Sequence, residues 1–443
     1  MKQITYKRFP LGNQRFHWKQ KEFTLSTFTC AARDMEKAIQ NWIELGMNLA
    51  ELGWATHERA WQAVELCEKY GLDLLFQDLS LMGGMSNLFM DRPVNDDTIR
   101  EVATKLKDKK HTVGIYVWDE PDEDITFTES RRQSDILHAI DPEALLFTVF
   151  VPSYNAGPTW YNGQYADRFD EYIRRLEPPV LSFDHYPIGD YFKMYPGHVY
   201  EDGRQLDEAV MWCDLALARK LSLKYDLPFW FYYQGCALYE CTDKFEYAMI
   251  RMMMHAAILY GAKGLQMYAV GVDKTDGYLS GEHIITADGD KGVFFEDHKK
   301  TQHALAKLGN TLMALTSRKV YHSRDLMPFG IHGPIYESMA DSIADSNILA
   351  GELPRRCSVG ELSDDYGNRY LYILNRDFYQ NLNATLALKG CYNLYEVSPV
   401  DGKQHLIQSG TDTIPLSLIP GDALLLRVQP AGEAPFLVDY ELE

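Results

Sequence analysis

The tetrapeptide Trp118-Asp119-Glu120-Pro121 follows an apolar run, Thr112 to Val117, which carries a carboxyl group out of a hydrophobic segment into a crowded cleft. Burial penalises the charged form and raises a carboxyl pKa, which suits a general acid near neutral pH, since it keeps its proton until a leaving oxygen takes it. A turn carboxylate ahead of the next helix is the structural reading of the same residues. Two further apolar runs end in polar residues, Phe183-Asp184-His185-Tyr186-Pro187 and Phe231-Tyr232-Tyr233-Gln234-Gly235. Asp184 offers a second carboxylate, or an orienting partner for His185 or for the Gln234 amide. His57 and His185 stand in no HxH or HExxH spacing, and the acidic stretch Asp273 to Asp297 lacks the spacing of a calcium loop. No catalytic metal and no cofactor is expected.

These groups need a scaffold that gathers the ends of separate segments. From residue 23 to about 315 short apolar runs alternate with stretches of helical period, the pattern of repeated βα units. Eight strands are expected: Phe23 to Thr29, Met47 to Leu52, Leu72 to Phe76, Thr112 to Val117, Leu145 to Val151, Val180 to Phe183, Pro228 to Tyr233 and Gly264 to Tyr268. Between them apolar residues recur at steps of three and four, as in Ile99, Val102, Ala103 and Leu106, or Phe169, Tyr172, Ile173 and Leu176. Asp34, Asn95 with Asp96, and Thr242 with Asp243 are placed to cap the first, third and seventh helices, and the eighth should run from about His298 to Leu315. Eight units in about 290 residues fit a closed (β/α)8 TIM barrel better than an open doubly wound sheet. No GxGxxG or P-loop opens any helix, so the nucleotide-binding alternative lacks its chemistry as well.

In such a barrel the residues at the C-terminal strand ends face the active site. They are Glu51 and Trp54 after strand two, Gln77 and Asp78 after three, Asp119 and Glu120 after four, and Ser153, Tyr154 and Asn155 after five. Asp184, His185 and Tyr186 follow strand six, Tyr233 and Gln234 end strand seven, and Tyr268 ends strand eight. Asp78 reads better as a hydroxyl-binding residue than as a catalyst. Met249, Met252, Met253 and Met254 read as core filling in the seventh helix.

Past about Val320 the helical periods stop, and short β-prone runs such as Arg369 to Leu374 and Ala423 to Val428 alternate with Gly, Asn and Asp turns. The expected organisation is an N-terminal extension, 1–22, a catalytic barrel, 23–318, and a C-terminal antiparallel β-domain of sandwich type, 319–443. Lys and Arg number 44 against 63 Asp and Glu, a net charge of −19, so the field repels phosphate backbones and a nucleic-acid partner is not expected. No apolar run of about 18 residues offers a membrane span, so no membrane insertion is expected. Aromatics make up 13% of the chain, enough to supply stacking surfaces beyond the core. Seven scattered cysteines, without zinc spacing, read as mostly buried free thiols. Met1 to Pro10 has no apolar core of a secretory signal, which points to the cytoplasm, or to export where a signal has been removed. Homo-oligomerisation is left open.

With the strand-four motif in place, the chain resembles the large group of (β/α)8 glycoside hydrolases that includes β-galactosidases and cellulases, over about 300 residues of barrel. In that group an Asn-Glu-Pro at the end of strand four supplies the acid/base, and Glu120 is the matching position. The resemblance implies a carbohydrate substrate, a sugar-binding role for Asp119 in place of the usual Asn, and a subsite shaped by Trp54, Trp118, Tyr186 and Tyr268. It fails at strand seven, where the group carries a nucleophilic Glu and this chain has Gln234. Asp184, or next Asp78, can supply the base; a substrate group held by Gln234 can act instead; the barrel can bind sugar without cleaving it; or Gln234 can stand where a Glu has been replaced. Strands four and six are two steps apart around the ring, so a separation wide enough for inversion, about 6.5–9.5 Å, is expected for Glu120 and Asp184.

Overall fold

The computed structural model describes the chain apart from residues 14, 30–31, 54, 79–93, 154–163, 189–197, 200–204, 207, 239–244, 271–278, 281–282 and 327–339, with backbone alone at 29, 198–199, 205–206, 208–210, 238 and 279–280. Eight strands, β1 (Thr24–Thr29), β2 (Leu49–Leu52), β3 (Asp73–Phe76), β4 (Thr112–Asp119), β5 (Leu145–Val149), β6 (Leu181–Asp184), β7 (Phe229–Gln234) and β8 (Gly264–Val270), pair in the order β5-β4-β3-β2-β1-β8-β7-β6. All these pairs are parallel. A bridge from Phe150 to Phe183, with the Phe150 N–H donating to Ser182 O at 2.8 Å, closes the ring between β5 and β6. The architecture is a (β/α)8 barrel, as the alternation of apolar runs and helical periods requires.

Helices α1 (Met35–Leu45), α2 (His57–Tyr70), α3 (Asp96–Leu106), α4 (Asp124–Ile140), α5 (Gln164–Leu176), α6 (Glu208–Tyr225), α7 (Tyr247–Leu259) and α8 (Phe295–Ala314) follow the strands. Local chemistry sets their ends. Asp34 accepts from the Lys37 N–H at the start of α1, and Gly46, with φ of 86°, closes it in the left-handed region that a Cβ disfavours. Asn95 caps α3 through the Asp97 N–H. The expected caps Thr242 and Asp243 lie outside the described residues, and α7 starts after Glu246. Met249, Met252, Met253 and Met254 are fully buried, because α7 is covered on one side by the barrel and on the other by the C-terminal domain.

The barrel interior is filled by Phe28, Leu49, Leu75, Tyr116, Phe147, Trp230 and Tyr232. The N-terminal segment covers its base: Trp18 packs edge-on to Trp230 at 6.1 Å, and the Gln20 side chain accepts from Trp230 Nε1 and donates to Lys263 O. Ahead of it, strand Lys2–Arg8 pairs in parallel with strand Phe436–Leu442.

The C-terminal domain is an antiparallel sheet. Strands β9 (Thr316–His322), β10 (Leu349–Ala350), β11 (Cys357–Ser363), β12 (Arg369–Asn375), β13 (Leu382–Val397), β14 (Gln404–Leu418) and β15 (Ala423–Pro430) pair in the order β9-β11-β12-β15-β13-β10, with β14 on β13. Alternation along β12 splits its two faces: Tyr370, Tyr372 and Leu374 join the barrel's helix-side core, while Leu371 and Ile373 join a separate core under the β13–β14 hairpin. The first face docks on α7, where the Tyr372 hydroxyl meets His255 Nδ1 at 2.6 Å and Arg251 donates to Pro420 O.

Candidate active site

The C-terminal ends of β4 and β6 bring Glu120 and Asp184 together. The ladder between β4 and β5 shifts register between Tyr116 and Trp118, so Asp119 lies level with Val149, which faces the barrel interior. Glu120 then turns through φ of 49°, with its N–H donating to Val149 O at 3.1 Å. A non-glycine residue in that region stores about 1–2 kcal/mol, a cost that concentrates at functional sites.

The Glu120 and Asp184 carboxyls share a hydrogen bond. This contact is closer than the wide separation anticipated from strand spacing, because the left-handed turn at 120 brings its side chain across toward β6. Burial pushes the Glu120 carboxyl well above the usual carboxylate range, and the charges of Asp184 and Asp119 push it further. Burial does the same to Asp184, reinforced by Asp119 and opposed by hydrogen bonds from Tyr186 and Glu120. Both shifts favour the protonated form, and the hydrogen bond between the two raises Glu120 and lowers Asp184, as it does with Glu120 donating and Asp184 accepting.

Tyr186 and Tyr268 stack at 4.9 Å with 21° between their planes, and Phe28 lies 5.5 Å from Tyr268. They form an aromatic wall beside Asp184. Asp78, at the end of β3, is buried and bonded through Oδ2 to His57 Nδ1 at 2.7 Å, while the His57 side chain is exposed. Trp118 is buried in the ladder opposite Thr148, with 2% of its surface exposed, and offers no open stacking face. Trp54, Tyr154 and Asn155 lie outside the described residues.

Three of the expected site residues point elsewhere. Successive side chains on a strand face opposite ways, so Asp184 and Tyr186 take the mouth and His185 between them takes the helix side. His185 Nδ1 meets Asp214 Oδ2 of α6 at 2.8 Å, both side chains are fully buried, and the Ser153 hydroxyl donates to the same oxygen at 2.9 Å. Tyr233 likewise faces α8, its hydroxyl 3.2 Å from His298 Nε2. Gln234 is committed to main chain: Nε2 donates to Ile188 O at 2.5 Å and to Cys236 O at 3.0 Å, and Oε1 accepts from the Ile188 N–H at 2.9 Å. It staples the segment after β6 to the end of β7. An amide fits there and a carboxylate does not, since two of its three partners are carbonyl oxygens.

No protein-family model matches the chain, and no curated protein matches it. Among solved structures the chain is similar to a β-galactosidase of the Antarctic haloarchaeon Halorubrum lacusprofundi, with 13% identity over 64% of this chain and 58% of that one and a TM-score of 0.49. It is also similar to a glycoside hydrolase family 30 subfamily 8 xylanase of Clostridium acetobutylicum, with 10% identity over 94% and 97% of the two chains and a TM-score of 0.47. A β-galacturonidase of Eisenbergiella tayi gives 12% identity over 67% and 54%, with a TM-score of 0.43. The chain thus spans under two thirds of the first and third of these proteins.

Beneath the pair lies a set of polar residues of which the reading of strand ends named Glu51 and Asp119 and passed over Ser26, Tyr116, Ser182, Tyr232 and Gln266. Glu51 of β2 is fully buried and accepts at Oε1 from the Ser26 hydroxyl and from Gln266 Nε2 (2.8 Å), while its Oε2 meets the Tyr232 hydroxyl. Burial raises the Glu51 carboxyl, against the effect of these hydrogen bonds. Ser182 donates to Gln266 Oε1 at 2.8 Å, and the Tyr116 hydroxyl donates to Asp119 Oδ1 at 2.8 Å. The signal for them was polar residues at inward positions of otherwise apolar strands. No group of three or more His, Cys, Asp or Glu suited to a metal occurs among the described residues, and no helix among them is long and apolar enough to cross a membrane.

Proposed function

We propose that this chain is a glycoside hydrolase acting on an oligosaccharide, polysaccharide or glycoconjugate. The observation that carries the reading is the hydrogen-bonded contact of the Glu120 and Asp184 carboxyls at the mouth of a (β/α)8 barrel, beside the Tyr186–Tyr268 wall. Glu120 is the general acid: the neighbouring negative charges hold its proton until a leaving glycosidic oxygen, itself gaining charge, competes for it. Asp184 is the second carboxylate. Retention needs about 5–5.5 Å between the two groups and inversion about 6.5–9.5 Å with a water between them, so an entering sugar has to part the pair. Parting leaves Asp184 as an anion able to take a proton from water or to stabilise the positive sugar carbon. Asp119 and Asp78 are the acceptors for sugar hydroxyls, and Tyr186 and Tyr268 are the apolar platform. The commitment of Gln234 to backbone supports a bracing role rather than that of a disabled nucleophile.

The test is a screen of aryl glycosides and natural oligosaccharides read by product mass, followed by Glu120→Gln. Turnover should fall by roughly 10²–10⁴-fold with substrate binding kept. Undiminished turnover in that variant removes Glu120 from the mechanism, and sugar binding without turnover in the unmodified protein would favour a binding barrel that has lost catalysis.

A further inference from the structure

The ring is a continuous ladder from β5 round to β6, and those two strands meet each other in an isolated bridge, Phe150 with Phe183. The two carboxyls of the candidate site stand on either side of this joint. Glu120 is held to β5, where its N–H donates to Val149 O at 3.1 Å, and Asp184 ends β6. Each side is anchored to its own helix. The Tyr165 hydroxyl of α5 donates to Val151 O at 2.8 Å and the Tyr172 hydroxyl to Thr148 O at 3.1 Å, while His185 Nδ1 meets Asp214 Oδ2 of α6 at 2.8 Å. The same Asp214 oxygen accepts from the Ser153 hydroxyl at 2.9 Å and from the Ser153 N–H at 3.4 Å. Asp214 therefore clasps the end of β5 to the end of β6 on the mouth side of the bridge. Ser153, His185 and Asp214 are all buried. Moving either strand end would strand buried polar groups without partners, and that cost makes the clasp stiff.

We propose that Asp214 and Ser153 are positioning residues that hold the β5–β6 joint shut and thereby set the contact between Glu120 and Asp184. His185 passes the constraint on: its ring is bonded to Asp214, its own N–H donates to Tyr232 O at 3.3 Å, and its backbone is joined to Asp184 on one side and Tyr186 on the other. With the joint clasped, an entering sugar parts the two carboxyls by turning their side chains, and the strands that carry them keep their spacing. With the clasp cut, the strand ends splay and Asp184 draws away from Glu120. The charges that face Glu120 are those of Asp184, Asp119 and Asp122, and of these Asp184 is the one across the joint. The role of the clasp in turnover rests on the hydrolase reading, whereas its control of the contact does not.

The contact is read by infrared spectroscopy on the full chain without substrate, following with pH the carboxylic-acid C=O stretch that Glu120→Gln removes. In Ser153→Ala and in Asp214→Asn this band should disappear at a pH lower by about one unit, because Glu120 loses part of the neighbouring negative charge that keeps it protonated. A band that titrates unchanged in both variants overturns the clasp, as does the lack of any such band in the unmodified protein. Ser153→Ala, the milder change, keeps the test open should Asp214→Asn not fold. In turnover each variant should lower kcat roughly 10–100-fold with KM changed little, and the alkaline limb of the pH profile should move to lower pH with the infrared band. A role in stability alone would leave that limb in place. The double variant should lose no more than Asp214→Asn by itself, and losses that multiply would give the two residues independent roles and overturn the clasp. A protein that cleaves no glycoside refutes the hydrolase reading, while the infrared titration still decides whether the clasp sets the contact.

Discussion

Replacing Gln234 by glutamate separates a bracing amide from a disabled nucleophile. The Gln234 side chain is fully buried, and both Nε2 protons go to carbonyl oxygens, those of Ile188 and Cys236. A protonated glutamate keeps one donor and the acceptor contact with the Ile188 N–H, so at low pH it loses one hydrogen bond, about 1 kcal/mol. An ionised glutamate loses both donors and sets a charge against two carbonyls, which raises its folded pKa above the unfolded value of about 4.3. The folded variant then binds more protons than the unfolded one above that pH. Its stability is retained below about pH 4.3 and falls by about 1.4 kcal/mol for each further pH unit until the folded pKa is reached. At pH 7.5 the combined loss reaches roughly 5 kcal/mol, a large part of an ordinary domain's stability. Urea unfolding of both proteins at pH 5 and 7.5 measures this, and the gap between them should widen with pH. Equal stability at both pH values, or the appearance of new glycosidase activity in Gln234→Glu, would refute the bracing role and restore the position as a nucleophile site.

Other outcomes follow from the same contacts. His298 and His255 are buried, and burial lowers their pKa values to about 3 and about 4. Between those values and about 6.5 the unfolded chain binds protons that the folded chain does not, so each histidine costs about 1.4 kcal/mol of stability per pH unit as pH falls through that window. His298→Gln should flatten the acid side of a stability–pH curve measured by thermal melting. Gly421 has φ of 71°, and a Cβ there would lie 2.2 Å from Ala248 O of α7. Gly421→Ala should cost about 3 kcal/mol or more and split calorimetric unfolding into separate barrel and β-domain transitions, and a single unshifted transition would contradict the docking described. Tyr186→Ala should raise KM well beyond its effect on kcat, as loss of a stacking platform does. Hydrolysis should survive prolonged chelation, and activity restored only by an added divalent metal would overturn the metal-free site.

The sequence by itself determined the barrel. Eight apolar runs at regular spacing with helical periods between them leave few alternatives, and all eight strands form close to where those runs predict them. It also placed Glu120 and Asp184 at strand ends, since a carboxylate directly after an apolar strand has only the mouth to occupy. The tertiary structure decided which neighbours share that mouth. Alternation turns His185 and Tyr233 to the helices, a register shift in β4 and a left-handed turn bring Glu120 into contact with Asp184, and backbone carbonyls claim the Gln234 amide. The partnership of Glu51 with Tyr232 and Gln266 joins β2 to β7 and β8, strands that are not its ladder neighbours and meet it only across the closed ring. A linear pattern records which way each side chain faces along its own strand. Which side chains meet across a barrel depends on register and closure, and these are fixed by the pairing of strands distant in the chain.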